Sequence, residues 1–135
     1  MIKFPLVVLG LAALASCGGD SAMSDDYQAA LDATASKRAE ALTLATVSPC
    51  SAVQQCANLA LVQPNGHCSS TDYHPYSLAS PTAAAASAAA ADERALAQHA
   101  VAIAPPPITA CTAVVTLPPD LACTANVCQA ALAAR

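Results

Sequence analysis

The sequence predicts a small α+β domain stapled by disulfides, and three observations carry that reading. Six of the seven cysteines fall into two triads, Cys50, Cys56 and Cys68, then Cys111, Cys123 and Cys128, whose spacings of 6 and 12 are mirrored by 12 and 5. Two helix-like, alanine-containing segments stop at prolines, one before Pro49 and one at Pro105-Pro106-Pro107. The remaining ordered stretches are short apolar runs bounded by turn residues, the pattern of strands. The expected architecture is an N-terminal helix, a long alanine-rich helix and a small antiparallel sheet of three strands.

Composition explains why such a fold needs staples. Hydrophobic residues make up 56% of the chain, but there is no Trp, one Phe and only three Tyr, and alanine, which buries little area, supplies much of the total. At about 25 cal/mol per Å² of apolar surface buried, so few large side chains give a thin core. Small exported domains commonly offset this with disulfides. The net charge is −4, and no basic patch points to nucleic acid or to anionic lipid headgroups.

The chain begins with Lys3 and an apolar run from Phe4 to Ala15, interrupted by Pro5 and Gly10. This is shorter than the roughly 20 apolar residues a helix needs to cross a bilayer, and it ends at small residues, the layout of an export signal. Leu14-Ala15-Ser16-Cys17 resembles the lipobox of bacterial lipoproteins. The resemblance implies a signal peptide over residues 1–16, diacylglycerol and palmitate-type acylation of Cys17, and a lipidated tether over 17–23. Gly18 stands where lipoproteins retained in the inner membrane typically carry Asp, so the implied location is the cell envelope, at the periplasmic face of the outer membrane. Several acyl chains anchor stably where one does not, at about 0.8 kcal/mol per buried CH₂.

Residues 24–48 read as the N-terminal helix: Ser24 can cap it, Asp25 and Asp26 suit the positive end of the helix dipole, and Tyr27, Leu31, Ala35 and Leu42 share a face. Residues 49–135 form the six-cysteine domain. Gln55 to Val62 reads as a strand, Gln63-Pro64-Asn65-Gly66 as a turn, and Tyr73-His74-Pro75-Tyr76-Ser77 as an extended, partly exposed piece. Ser80 as cap and Pro81 at the first helical position open the long helix, which runs to Ala104 with Ala85, Ala89, Leu96, Ala100 and Ile103 inward and Asp92, Glu93, Arg94 and Gln98 outward. Thr112 to Leu117 reads as a strand, Pro118-Pro119-Asp120 as a turn, and Leu121 to Leu132 as a last strand or hairpin.

Pro49-Cys50, Gln55-Cys56, Gly66, Cys68, Tyr76-Ser77, Cys111 and Ala122 to Cys128 are together similar to a set of small cysteine-rich exported proteobacterial proteins, over residues 49 to 129. Members often have Gly where Asn126 stands, and Asn also tolerates a left-handed turn. No activity is known for them, so the resemblance transfers no functional residue.

With Cys17 lipidated, six cysteines suit three disulfides, for which 15 connectivities exist. The mirrored spacing favours a nested set, Cys50–Cys128, Cys56–Cys123 and Cys68–Cys111; its rival pairs Cys50 with Cys56 and Cys123 with Cys128. No Cys-x-x-Cys occurs, which argues against a zinc, haem or redox motif. His67, His74 and His99 are weak candidates for a metal site and form no i, i+4 pair. Asp25-Asp26 and Asp92-Glu93 are adjacent on helices and point apart, so neither is an acid/base dyad. No Gly-x-Ser-x-Gly or other catalytic constellation is present, and no cofactor is implied. The expectation is a non-catalytic envelope lipoprotein, a structural or binding module whose protein partner meets Tyr73 and Tyr76. A metal-handling lipoprotein using the three histidines is the alternative, and a hydrolase ranks third.

Overall fold

The structure is a computed structural model that describes residues 24–106, 110–112 and 115–131. The lipobox, Cys17 and the tether lie outside the described residues. In chain order the elements are helix α1 (Asp25–Ala45), a single 3₁₀ turn (Val53–Gln55), strands β1 (Cys56–Asn65) and β2 (Cys68–Ser77), helix α2 (Ala83–Ile103), and strands β3 (Leu121–Thr124) and β4 (Val127–Ala130).

Helix α1 starts where the sequence places it, with the Ser24 hydroxyl accepting from the Tyr27 N–H at 3.3 Å. Its threonines Thr34 and Thr43, and Thr46 at its C-terminal cap, are tolerated because each hydroxyl donates to the carbonyl four residues back: Thr34 to Ala30, Thr43 to Ala39 and Thr46 to Leu42. The buried residues are Tyr27, Ala30, Thr34, Ala41 and Ala45. The expected face is therefore rotated, with Ala35 exposed and Leu31 and Leu42 half-buried.

Helix α2 lies antiparallel to α1. Ala41 and Ala45 pack with Ala86, Ala89 and Ala90, while Tyr27 and Ala30 pack with Ala100 and Ala104 at the other end. Ala86, Ala90, Glu93, Ala97, Ala100 and Ala104 are all buried, at alternating steps of four and three, the period of a coiled-coil seam. Glu93, expected outside, occupies a seam position and is wholly buried. The helix also begins later than expected. The Ser80 hydroxyl accepts the Thr82 N–H at 3.3 Å and meets the Thr82 hydroxyl at 2.8 Å, making Ser80 to Thr82 a lead-in turn. Thr82 Oγ1 donates to the Leu44 carbonyl at 2.7 Å, satisfying an acceptor that the end of α1 leaves open.

Strand β1 runs past its expected end at Val62, and the piece expected only to be extended belongs to strand β2; the two form a hairpin paired from Cys56↔Ser77 to Asn65↔Cys68 and closed by Gly66-His67, with Gly66 at φ +62°. Two prolines sit inside it without breaking it. Val62 sends its N–H outward to Glu93, and Pro64 and the Asn58↔Pro75 pair share its alternation, so both prolines fall where no ladder donor is needed. Leu59, Leu61 and Tyr76 on one face complete the core with the helices.

The third strand of the expected sheet is not formed: the strands make two separate two-stranded hairpins. Of the Thr112 to Leu117 segment, the described residues lie in no strand; Val115 and Leu117 are 81% and 76% exposed, and a segment with nothing to bury its side chains gains little from joining a sheet. The β3–β4 hairpin turns on Ala125-Asn126, both at positive φ (52° and 61°), the requirement of a tight two-residue turn. It docks through an isolated bridge, Pro49↔Val127, flanked by Cys50 N–H to the Asn126 carbonyl and Cys128 N–H to the Ser48 carbonyl, each 3.0 Å.

All six cysteines of the domain are bridged. Cys68 pairs with Cys111, as the nested pattern requires, but the other two bonds are Cys50–Cys123 and Cys56–Cys128, with Cα separations of 5.9 and 5.5 Å. The correction has a simple cause: Cys123 and Cys128 are cross-strand partners, so both reach the same place, and the docking of Ser48–Cys50 beside the turn decides which takes Cys50. Spacing along the chain carries no information on that docking.

Candidate functional site

An open groove of about 700 Å³ lies where the end of α1 meets β2 and β4, lined by Leu42, Thr46, Ser48, His74, Pro75 and Gln129 among others. No charged Asp, Glu, Lys or Arg lines it. The hydroxyl protons of Thr43 and Thr46 are engaged by the α1 backbone, and Val127 in the lining is 49% exposed. Such a lining suits an uncharged, apolar group; His74 is its titratable side chain, and the Ser48 hydroxyl is buried with no hydrogen-bond partner among the described residues.

The groove takes in part of the extended segment expected to bind a partner, although not through its tyrosines. Tyr76 is buried in the core and Ser77 is fully buried, its hydroxyl donating to the Pro49 carbonyl. Tyr73, three residues away on the strand, points to the opposite face of the hairpin. Tyr73 and Tyr76 therefore make no common patch. An apolar ring in a chain so poor in aromatics goes to the core first, which is the physical reason the expected exposure of Tyr76 fails.

A second cluster joins four elements. The Glu93 carboxylate, on α2, accepts the Val62 N–H of β1 on both oxygens at 3.1 Å. Arg38, on α1, brings Nη1 to 3.8 Å from Glu93 and donates through Nη2 to Asp72 of β2 at 2.6 Å. Burial pushes the Glu93 carboxyl above its usual range, against the opposing pull of the Val62 N–H and the Arg38 guanidinium. Arg38 Nη1 is itself buried without a hydrogen bond. No sequence motif marks this cluster; hydropathy assigns all three charged residues to solvent.

The histidines do not converge. His67 is in the β1–β2 turn with Nε2 buried and unpartnered, His74 is on β2, and His99 is exposed on α2. Among the described residues, the one group of three potential ligand atoms close enough to share an ion is the sulfurs of Cys50, Cys56 and Cys128, within 4.8 Å of one another. No helix among them is long and apolar enough to cross a membrane. No protein-family model, curated protein or solved structure matches the chain.

Proposed function

We propose that the chain is a non-catalytic lipoprotein of the bacterial cell envelope, held at the periplasmic face of the outer membrane through Cys17 and serving as a binding module. The observation that carries this reading is the lipobox-like Leu14-Ala15-Ser16-Cys17. It is supported by the bridging of the other six cysteines, a state that persists in an oxidising compartment. The tether enters the fold at Ser24, and the groove lies at the opposite end of a 21-residue helix. At about 1.5 Å per residue this sets the groove roughly 30 Å from the anchored end, facing an apolar segment of another envelope component.

Metabolic labelling with palmitate tests the anchor. The wild-type chain incorporates label and fractionates with membranes, and Cys17→Ser does neither, because only a thiol accepts the diacylglyceryl group. Label retained by Cys17→Ser, or absent from the wild type, refutes the lipoprotein reading.

A further inference from the structure

Two neighbouring disulfides gather cysteines from three separate segments. Cys50, Cys56 and Cys128 have their sulfurs within 4.8 Å of one another, and Cys123 is bonded to Cys50. The backbone around them is braced independently of sulfur. Cys123 and Cys128 face each other across the β3–β4 ladder, the Pro49↔Val127 bridge holds Cys50 beside the turn, and Cys56 opens β1.

We propose that, once both bonds are reduced, Cys50, Cys56, Cys123 and Cys128 form a four-thiolate site for a borderline or soft metal ion, represented by Zn²⁺. Tetrahedral zinc with Zn–S of about 2.3 Å sets its sulfurs about 3.8 Å apart. That separation lies within the 4.8 Å over which the sulfurs of Cys50, Cys56 and Cys128 are already spread. Cys123, joined to Cys50, lies outside that group of three and must turn toward it once its bond opens. Zinc motifs in sequence draw close ligand pairs from adjacent residues; here the closeness comes from strand pairing and docking, which spacings of 6 and 5 conceal.

The chemistry balances without an unnamed reactant. Each disulfide accepts two electrons and two protons from an external dithiol, which leaves as its own disulfide, so two exchanges yield four thiols. Zn²⁺ then displaces the four thiol protons and is held by four thiolates. Reoxidation by an external disulfide reverses both steps and expels the ion. The same segments are tied together in either state, by two covalent bonds or by one metal. The proposal is independent of lipidation at Cys17.

The test uses the full-length Cys17→Ser chain, reduced with a phosphine and alkylated in a short pulse with or without one equivalent of Zn²⁺, followed by peptide mapping. Zinc is expected to slow modification of Cys50, Cys56, Cys123 and Cys128 roughly tenfold or more while leaving Cys68 and Cys111 unchanged. Co²⁺ in its place should give the intense visible absorption of tetrahedral thiolate coordination. The Cys68→Ser/Cys111→Ser variant should still bind one ion per chain, and Cys56→Ser/Cys128→Ser should not. Uniform alkylation of all six cysteines in the presence of Zn²⁺, whether or not the reduced chain is folded, overturns the proposal. So does protection that extends equally to Cys68 and Cys111.

Discussion

At Glu93 the penalty of burying a carboxylate is set against a main-chain donor that has no other use. The N–H of Val62 points out of the ladder toward α2, and an apolar residue at this seam position would leave that donor buried and unpaired, at about 1–3 kcal/mol. The carboxyl's raised protonation point has a definite sign for stability. The folded state holds the proton more tightly than the unfolded chain, so this stabilising contribution is complete below the ordinary glutamate range and is lost as pH rises through the elevated folded value. Glu93→Gln keeps an oxygen for Val62 and removes the titration. The difference in unfolding free energy, wild type minus Glu93→Gln, should therefore fall as pH is raised, as read from denaturant midpoints across a pH series; a difference that is flat or grows with pH contradicts the assignment. Hydropathy could not have placed this residue. Asp92, Glu93 and Arg94 are consecutive, and only the exact rotation of the helix decides which of the three turns inward.

That rotation is a property of the element, and alanine hides it. Helix α2 carries alanine on its buried and its exposed sides alike, Ala97 fully buried and Ala91 exposed, so the contrast that ordinarily reveals an inner face is nearly absent. The existence of both helices, the start of α1 and the end of α2 were legible from caps and prolines, while the start of α2 and the identity of the packed faces were not. The seam itself supplies a test. Ala97→Leu forces three extra heavy atoms between closely packed backbones and should cost about 1–3 kcal/mol, whereas Ala91→Leu on the outer side should stay within about 0.5 kcal/mol of wild type. Equal effects of the two substitutions in chemical denaturation would mean that the helices do not meet along this line. The same dependence on context governs the strands. Asn65-Gly66 announced a turn, but Pro64 and Pro75 argued against paired strands beside it, and only the register puts both prolines where they do no harm.

For the molecule as a whole, the two cysteine triads were the most informative feature of the sequence. They correctly implied that the first triad bonds to the second across α2, including Cys68 to Cys111. The exchange of partners between Cys50 and Cys56 was beyond reach, because it depends on how one hairpin docks against a loop. The apolar groove was equally illegible, being assembled from α1, β2 and β4, with no signature in any one of them.

The long separation of every bonded pair, 73, 72 and 43 residues, makes the order of emergence matter. On the export route proposed above, the chain is threaded through a membrane N-terminus first, so Cys50, Cys56 and Cys68 reach the oxidant before any of their partners, and an enzyme that joins cysteines in order of arrival would make Cys50–Cys56, a bond absent from the native set. Productive maturation must then undo early errors by thiol–disulfide exchange, so the chain should depend on a disulfide isomerase as well as an oxidase. In cells lacking the isomerase, non-reducing peptide mapping should recover Cys50–Cys56 and a reduced yield of folded protein. Native pairing at full yield in such cells would mean that the C-terminal hairpin arrives before the first triad is oxidised.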